Sequence, residues 1–327
     1  MMSMSLEQEI KDKALALGFD AAGITDASPI SPEHVGHFEA WLRSGYAGRM
    51  DYMHRNIEKR ANPAKLLKGA QSVIVVAINY KPPESIADCG LRIADSRPDS
   101  NPVGRVAQYA QYEDYHPFIK SLLRELADFI QARTDQTQRF RICVDSAPLA
   151  EKALAVRAGL GFIGKSHLLI HPQLGPQVLL GELITTLSLR PDEPIGGSCG
   201  ACDRCLRACP AGALRPDGFL DASRCISYLT QYGSQEESAG RTGKWIFGCD
   251  ECLLACPLQQ SAPAHTNPHF RRYPERATLN LREVLEWTKE EFEARFHDSP
   301  TRRLGFETLR RNARRCLESD ISGMKKI

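Results

Sequence analysis

Eight cysteines at fixed spacings constrain this chain more than any other feature. Cys199-x2-Cys202-x2-Cys205-x3-Cys209-Pro210 is followed by Cys225, and then by Cys249-x2-Cys252-x3-Cys256-Pro257. Two-residue steps let one loop wrap three corners of an iron–sulfur cubane, and in this spacing the cysteine before the proline serves the other cluster. Crossing the motifs in that way gives Cys199, Cys202, Cys205 and Cys256 for one [4Fe–4S] cluster. Cys209, Cys225, Cys249 and Cys252 are left for a second. A pair of all-cysteine zinc sites is the alternative, because those also use C-x2-C. They seldom place three cysteines at two-residue steps ahead of Cys-Pro. Cys89, Cys143 and Cys316 fall outside the pattern and read as buried or inert thiols.

The 327 residues suffice for two domains, and the formal net charge of +2 means that any nucleic-acid affinity must come from a local basic patch. Met1–Ile10 has neither an apolar core nor a small-residue cleavage site, so a cytoplasmic location is expected. The longest apolar run, Val73–Ile78, is far too short to span a bilayer. In that compartment clustered cysteines are metal ligands more often than disulfides.

Leu6–Leu17 has helical periodicity and stops at Gly18; Ser72–Tyr80 reads as a buried strand; Phe118–Arg133 reads as a helix. Phe140–Val144 is a strand closing on Asp145, Pro148–Ala158 a helix, and Leu168–His171 with Gln177–Leu187 a further strand pair. Residues 87–104 read as a loop. These readings give an α/β (α+β) domain over 1–190. A ferredoxin-like 2[4Fe–4S] domain follows over 191–262, then a basic helical region over 263–327 with helices at Leu281–Phe296 and Leu304–Leu317. Gly159–Ser166 matches a phosphate-loop pattern, but a helix precedes it and a strand follows, the reverse of what a phosphate cradle needs. A tight glycine turn that lets backbone approach a flat cofactor is the better reading. Two clusters move single electrons, so a reactive centre is expected in the domain ahead of the Pro191–Gly197 linker.

Three stretches together are specific: Val144-Asp145-Ser146-Ala147-Pro148-Leu149-Ala150-Glu151-Lys152, then Arg157-Ala158-Gly159-Leu160-Gly161-Phe162-Ile163-Gly164-Lys165, then the cysteine module. With Glu58-Lys59-Arg60, Asp114-Tyr115-His116, Arg224-Cys225-Ile226-Ser227 and Gly248-Cys249-Asp250, the chain resembles the epoxyqueuosine reductase family from about Leu6 to Leu317. The resemblance implies cobalamin beside two [4Fe–4S] clusters and reduction of epoxyqueuosine to queuosine at the wobble position of tRNA anticodons. It also implies an unidentified electron donor, no membrane association and a monomer. By position, Asp145 matches the proton donor and lies at the corrinoid. Arg60, Ser227, Asp250 and the backbone of Leu169, Ile170 and His171 match its surroundings. Ser166 stands where the family often has Asn, and Gly175-Pro176-Gln177 where a Gly-Ser-aromatic stretch is common. The helical-repeat region of longer relatives is expected to be missing after Ile327.

Opening an epoxide develops alkoxide charge, which a carboxylic acid within hydrogen-bond reach can protonate. For Asp145 to do so at neutral pH, burial must raise its pKa; the alternative role is a helix cap. His116 and His171 lack a supporting motif and are not expected to ligate cobalt. The cluster of Cys209 is expected to be the one nearer the corrinoid, because Ser227 and Asp250 flank its ligands. Residues 301–327 hold eight Lys/Arg against three Asp/Glu, and Arg302, Arg303, Arg310, Arg311, Arg314 and Arg315 form a candidate tRNA stripe. Rival readings are another corrinoid reductase acting on a small molecule, such as a reductive dehalogenase, and a ferredoxin-like electron carrier.

Overall fold

The computed structural model describes residues 4–83, 102–135, 137–238 and 240–324. Cys89 and most of the 87–104 loop lie outside them. Nine strands form among these residues: β1 Ala21–Asp26, β2 Ser72–Asn79, β3 Val103–Val106, β4 Phe140–Cys143, β5 Phe162–Ile163, β6 Leu169–Ile170, β7 Val178–Thr185, β8 Trp245–Phe247 and β9 Thr278–Asn280. The chain divides into two compact units, each built from separated segments. The first comprises Met1–Asn79, His116–Leu206 and Leu253–Pro263; the second comprises Tyr80–Tyr115, Arg207–Cys252 and Ala264–Ile327.

The first unit is organised by an antiparallel sheet in the order β1-β2-β7-β4. All eight residues of β2 are buried, because helices cover both faces of this central strand. Residues of one parity, Val73 and Val75, join Leu154, Ala155 and Ala158 of the helix Glu151–Arg157 and its end. The other parity meets the helix Tyr115–Arg133. There Val76 pairs with Gly181, and a Cβ on Gly181 would stand 2.5 Å from Ile119 Cγ2. Only glycine allows that close approach. Alternation then turns the next residue, Glu182, toward the opposite face, where Glu151 lies.

The helix predicted over 148–158 starts at Glu151, so Pro148–Ala150 belong to the loop that carries Asp145. The predicted pairing of 168–171 with 177–187 is corrected. β6 pairs with β5 in a short hairpin, whereas β7 pairs with β2 and β4. The reversed context of the glycine loop holds: the helix Glu151–Arg157 precedes it, β5 lies within it and β6 follows. Gly161 is needed there because its φ is +152° and a Cβ would overlap Ile170 O at 2.2 Å. Its tight turn serves the protein's own hairpin.

In the second unit β3 sits between β8 (parallel) and β9 (antiparallel). Helices Leu281–Glu286, Lys289–Phe296 and Phe306–Met324 cover it with Val284, Phe292, Phe296, Leu309, Ala313 and Cys316. The single helical pattern read over 281–296 is two helices. Trp287 ends the first, and a Thr288/Glu291 capping box starts the second.

The arginine stripe is corrected in part. Leu309, Ala313 and Cys316 define the packed face of the last helix, and Arg315 falls within it at 2% exposure. Its guanidinium donates to Asn312 Oδ1 at 3.0 Å and to the carbonyls of Gly233 and Ser234. Asn312 donates to the carbonyls of Thr230 and Ile246. Arg315 is therefore a structural tie, and burial withholds it from RNA phosphates. Of the rest, Arg302 pairs with Glu293, Arg303 with Asp114 and Arg310 with Glu307; Arg311 reaches Asn312, and Arg314 is exposed. Arg315→Ala should destabilise the protein by about 2–3 kcal/mol, since buried charge-assisted bonds are lost and carbonyls are left without donors. Urea unfolding checks this; an unchanged midpoint would mean that the tie contributes nothing.

Candidate active site and cluster loops

Asp145 follows β4 in a left-handed conformation with φ +55°, a region that aspartate tolerates better than most residues. Contacts to Glu151 and His116 hold it there. Its backbone N–H donates to Glu151 Oε1 at 2.6 Å, and its Oδ2 lies 3.0 Å from Nε2 of His116. His116 is buried in the first turn of the helix Tyr115–Arg133. The expected burial of Asp145 is not found: its side chain is 59% exposed. One oxygen faces the imidazole and the carboxyl stands open to a substrate.

Two further carboxyls, the half-buried Glu151 and the buried Glu182, neighbour it. Burial, and then the charge of Asp145, push Glu151 up to about 7. Glu182, at 0% exposure on β7, is pushed well above the usual carboxylate range by burial and then by Glu151. Both of its oxygens are buried, with the Glu151 carboxyl as a hydrogen-bonding neighbour. It also faces Cys143, its neighbour on β4, whose thiol is raised to about 12, first by burial and then by Glu182. Sequence reasoning assigned no role to His116, Glu151 or Glu182. His116 and Glu151 stood inside the matched motifs, but Glu182 had no signal beyond a lone acid in an apolar run.

These carboxyls fix a pH dependence. Their folded-state pKa is raised, so the folded state holds protons that the unfolded chain releases near 4.5. The associated stability is complete below that pH and is lost as pH rises through about 7. Glu182→Gln should flatten the decline. Urea midpoints at about pH 5 and about pH 8 check it; identical slopes in wild type and variant would sink it.

Arg60 sits on the helix Ile57–Ala61, and its carbonyl accepts from Ala150 N–H at 3.1 Å, which ties that helix to the Asp145 loop. Its guanidinium lies over Phe38, burial lowers its pKa, and its buried Nε–H has no acceptor. An unfilled donor beside the Asp145 loop fits the amide-bearing rim of a corrinoid. The side chains of Leu169 and Ile170 are buried in the fold, which leaves only their backbone for a cofactor. Nδ1 of His171 accepts from the N–H groups of Gln173 and Leu174, so this nitrogen has no lone pair left for a metal. Asp250 is buried, with Oδ2 accepting from Gln108 N–H at 2.7 Å, and burial raises it to about 6. Ser227 lies in the first turn of the helix Ile226–Tyr232, with its carbonyl accepting from Thr230 and Gln231.

The eight cysteines divide between the units as two sets of four. Cys199, Cys202, Cys205 and Cys256 belong to the first unit, and Cys209, Cys225, Cys249 and Cys252 to the second. The described cysteines form no disulfide. Burial raises the Cys205 thiol, with Cys199 and Cys202 adding to it. Burial likewise raises Cys225, with Cys209 adding, and Cys249, with Asp250, Cys252 and Cys225 adding. Thiolates this close repel unless iron neutralises them. Among the described residues, no three His, Cys, Asp or Glu side chains are grouped to hold one metal ion. A cubane asks for something else, because each thiolate binds its own iron. Lys165, the lysine of the glycine loop, braces the first set. Its N–H points at Cys199 Sγ at 3.4 Å, and its Nζ donates to the carbonyls of Gly200 and Cys202.

The family model described as "Epoxyqueuosine reductase QueG, DUF1730" matches residues 60–146, and "4Fe-4S double cluster binding domain" matches 198–259. The epoxyqueuosine reductase of Vibrio cholerae is 37% identical over 310 residues, covering 94% of this chain and 81% of the relative. The chain belongs to the epoxyqueuosine reductase family. The Pseudomonas aeruginosa enzyme of the same name is 39% identical over 311 residues, covering 94% of this chain and 83% of that one. Among solved structures, an epoxyqueuosine reductase with a tRNA-Tyr epoxyqueuosine-modified stem loop superposes with a TM-score of 0.85. It is 31% identical and covers 96% of this chain and 81% of its own. The Bacillus subtilis epoxyqueuosine reductase, solved with its catalytic aspartate loop swung out of the active site, gives 0.84 at 30% identity, covering 98% and 84%. The mixed α/β architecture with a 4Fe–4S double cluster domain is thus common to this chain and the family. Among the described residues no helix is long and apolar enough to cross a membrane.

Proposed function

We propose that this protein reduces epoxyqueuosine to queuosine at the wobble position of tRNA anticodons, in the cytoplasm and as a monomer. The observation that carries the reading is similarity along nearly the whole chain to a reductase solved with its epoxyqueuosine-modified tRNA stem loop. Residues 1–190 form the cobalamin-binding part, 191–262 the ferredoxin-like part and 263–327 the basic helical part. Cys199, Cys202, Cys205 and Cys256 hold one [4Fe–4S] cluster, and Cys209, Cys225, Cys249 and Cys252 the other. The clusters pass electrons singly from a donor protein. Bound cobalamin, once reduced, supplies a strong nucleophile toward an epoxide carbon and the two electrons that the net reaction consumes.

The chain's own residues do the rest. Arg60 offers its unfilled Nε–H to the corrinoid rim, and the backbone of Leu169, Ile170 and His171 lines its face, with Ser227 and Asp250 beside ligands of the Cys209 cluster. Asp145 carries the proton for the oxygen released as the C–O bond opens; it is exposed in this conformation, so bound substrate and corrinoid must supply the burial that keeps it protonated. His116 orients its Oδ2, and Glu151 fixes the left-handed turn through the backbone N–H. The Bacillus subtilis neighbour with its aspartate loop swung out supports a mobile acid of this kind. Arg314 and the paired arginines near it lie on the basic part that would approach tRNA. Purified protein, reconstituted with iron, sulfide and cobalamin and reduced chemically, is expected to convert epoxyqueuosine-containing tRNA to queuosine-containing tRNA by mass spectrometry. Unconverted tRNA with both clusters and cobalamin bound would refute the reading.

A further inference from the structure

One concavity of the second unit has no part in the scheme above. It encloses about 520 Å³ and is lined by Arg105, Arg224, Arg241, Lys244 and Trp245, with Glu251 as its lone carboxylate. Glu251 is already committed. Its Oε1 accepts from Arg105 Nη1 at 2.9 Å and from Trp245 Nε1 at 3.1 Å. Arg105 is in turn stacked on the indole at 4.0 Å, and its buried Nε has no partner. That leaves Arg224, Arg241 and Lys244 around one cavity without a carboxylate partner among the described residues. Three uncompensated cations together repel, and a chain of net charge +2 could have spread them. The arginines of the C-terminal helical region, by contrast, are mostly paired or buried.

The lining suits a phosphodiester. Guanidinium groups match paired phosphate oxygens, and Lys244 adds a point charge. Gly240 and Gly243 bracket Arg241 and Thr242 with φ of +67° and +55° and leave open space where side chains would stand. Thr242 and Trp245 are buried, so neither is placed to read a base edge or to stack on one. The pocket therefore has the means to hold backbone without reading sequence.

We propose that this pocket binds a backbone phosphodiester of the tRNA substrate, a contact that rests on the tRNA reading above and registers the RNA independently of base identity. The corrinoid nucleotide tail carries the same chemical group, and the test separates the two.

The probe is an anticodon stem loop carrying epoxyqueuosine, titrated against holoprotein over a salt series. Arg241→Gln/Lys244→Gln is expected to weaken affinity at every salt concentration and to lower the slope of log K against log salt by about 1.5–2. The charge-keeping pair Arg241→Lys/Lys244→Arg should retain the slope. Unchanged affinity and slope in the Gln variant overturn the proposal. So does a variant that loses affinity for cobalamin but not for tailless cobinamide, with RNA binding intact, because the phosphate is then the corrinoid's. Intact RNA binding with slower reduction by added flavodoxin overturns it in favour of an acidic redox partner. If wild-type holoprotein neither binds nor converts the stem loop, the functional reading fails; a variant that matches an active wild type refutes the pocket alone.

Discussion

Asp145→Asn should lower kcat by about 10²–10⁴-fold, the range contributed by a positioned proton donor. The substitution isolates the proton. Asparagine keeps the size of the side chain, can still meet His116 Nε2, and tolerates the left-handed backbone that Asp145 adopts at φ +55°. The N–H bond to Glu151 survives because it comes from the backbone. Iron content, cobalamin binding and tRNA affinity are therefore expected to match wild type while single-turnover reduction collapses. Asp145→Ala confounds these effects, since it also strains the turn and strips His116 of a partner. Normal turnover by the Asn variant would remove Asp145 from the chemistry. It would leave the His116 contact and the Glu151–Glu182 pair as features of stability alone.

The parts legible in sequence are those set by local spacing. Eight cysteines at cluster spacing needed no tertiary knowledge, and neither did a run of apolar residues as strong as β2. Asp145 was found by its motif, but its surroundings were misjudged. Full burial belongs to Glu182, which reaches the site only through the register that sets it opposite Cys143, thirty-nine positions away in the chain. Cross-strand register over that distance depends on the whole sheet. Arg315 was misread for a different reason. Charge along the last helix does not by itself say which face packs. Leu309, Ala313 and Cys316, at steps of four and three, already marked that face, and Arg315 lies beside Cys316 within it. The glycine loop shows the same discipline working: its pattern suggested phosphate, and its neighbours in the chain excluded it.

The crossed ligation makes the second large prediction. If the motifs cross, Cys199 and Cys256 serve one cluster, and Cys199→Ser/Cys256→Ser should remove that cluster alone, leaving about four irons per chain. If ligation followed chain order, with Cys199, Cys202, Cys205 and Cys209 on one cluster and Cys225, Cys249, Cys252 and Cys256 on the other, the same double variant would damage both. Placement of Cys256 in the unit of Cys199, Cys202 and Cys205 favours crossing, and so does placement of Cys209 with Cys225, Cys249 and Cys252. Cys209→Ser/Cys249→Ser is the mirror test and should spare the other cluster. Either double variant should abolish turnover, because one cluster cannot replace the other in a relay. Cys316→Ala is the control. Its sulfur is buried in the second unit, facing the carbonyl of Trp245, and its loss should leave all the iron in place. Iron analysis with electron paramagnetic resonance of the reduced proteins decides the matter. Loss of both clusters from the Cys199/Cys256 variant, with the control intact, would establish ligation in chain order.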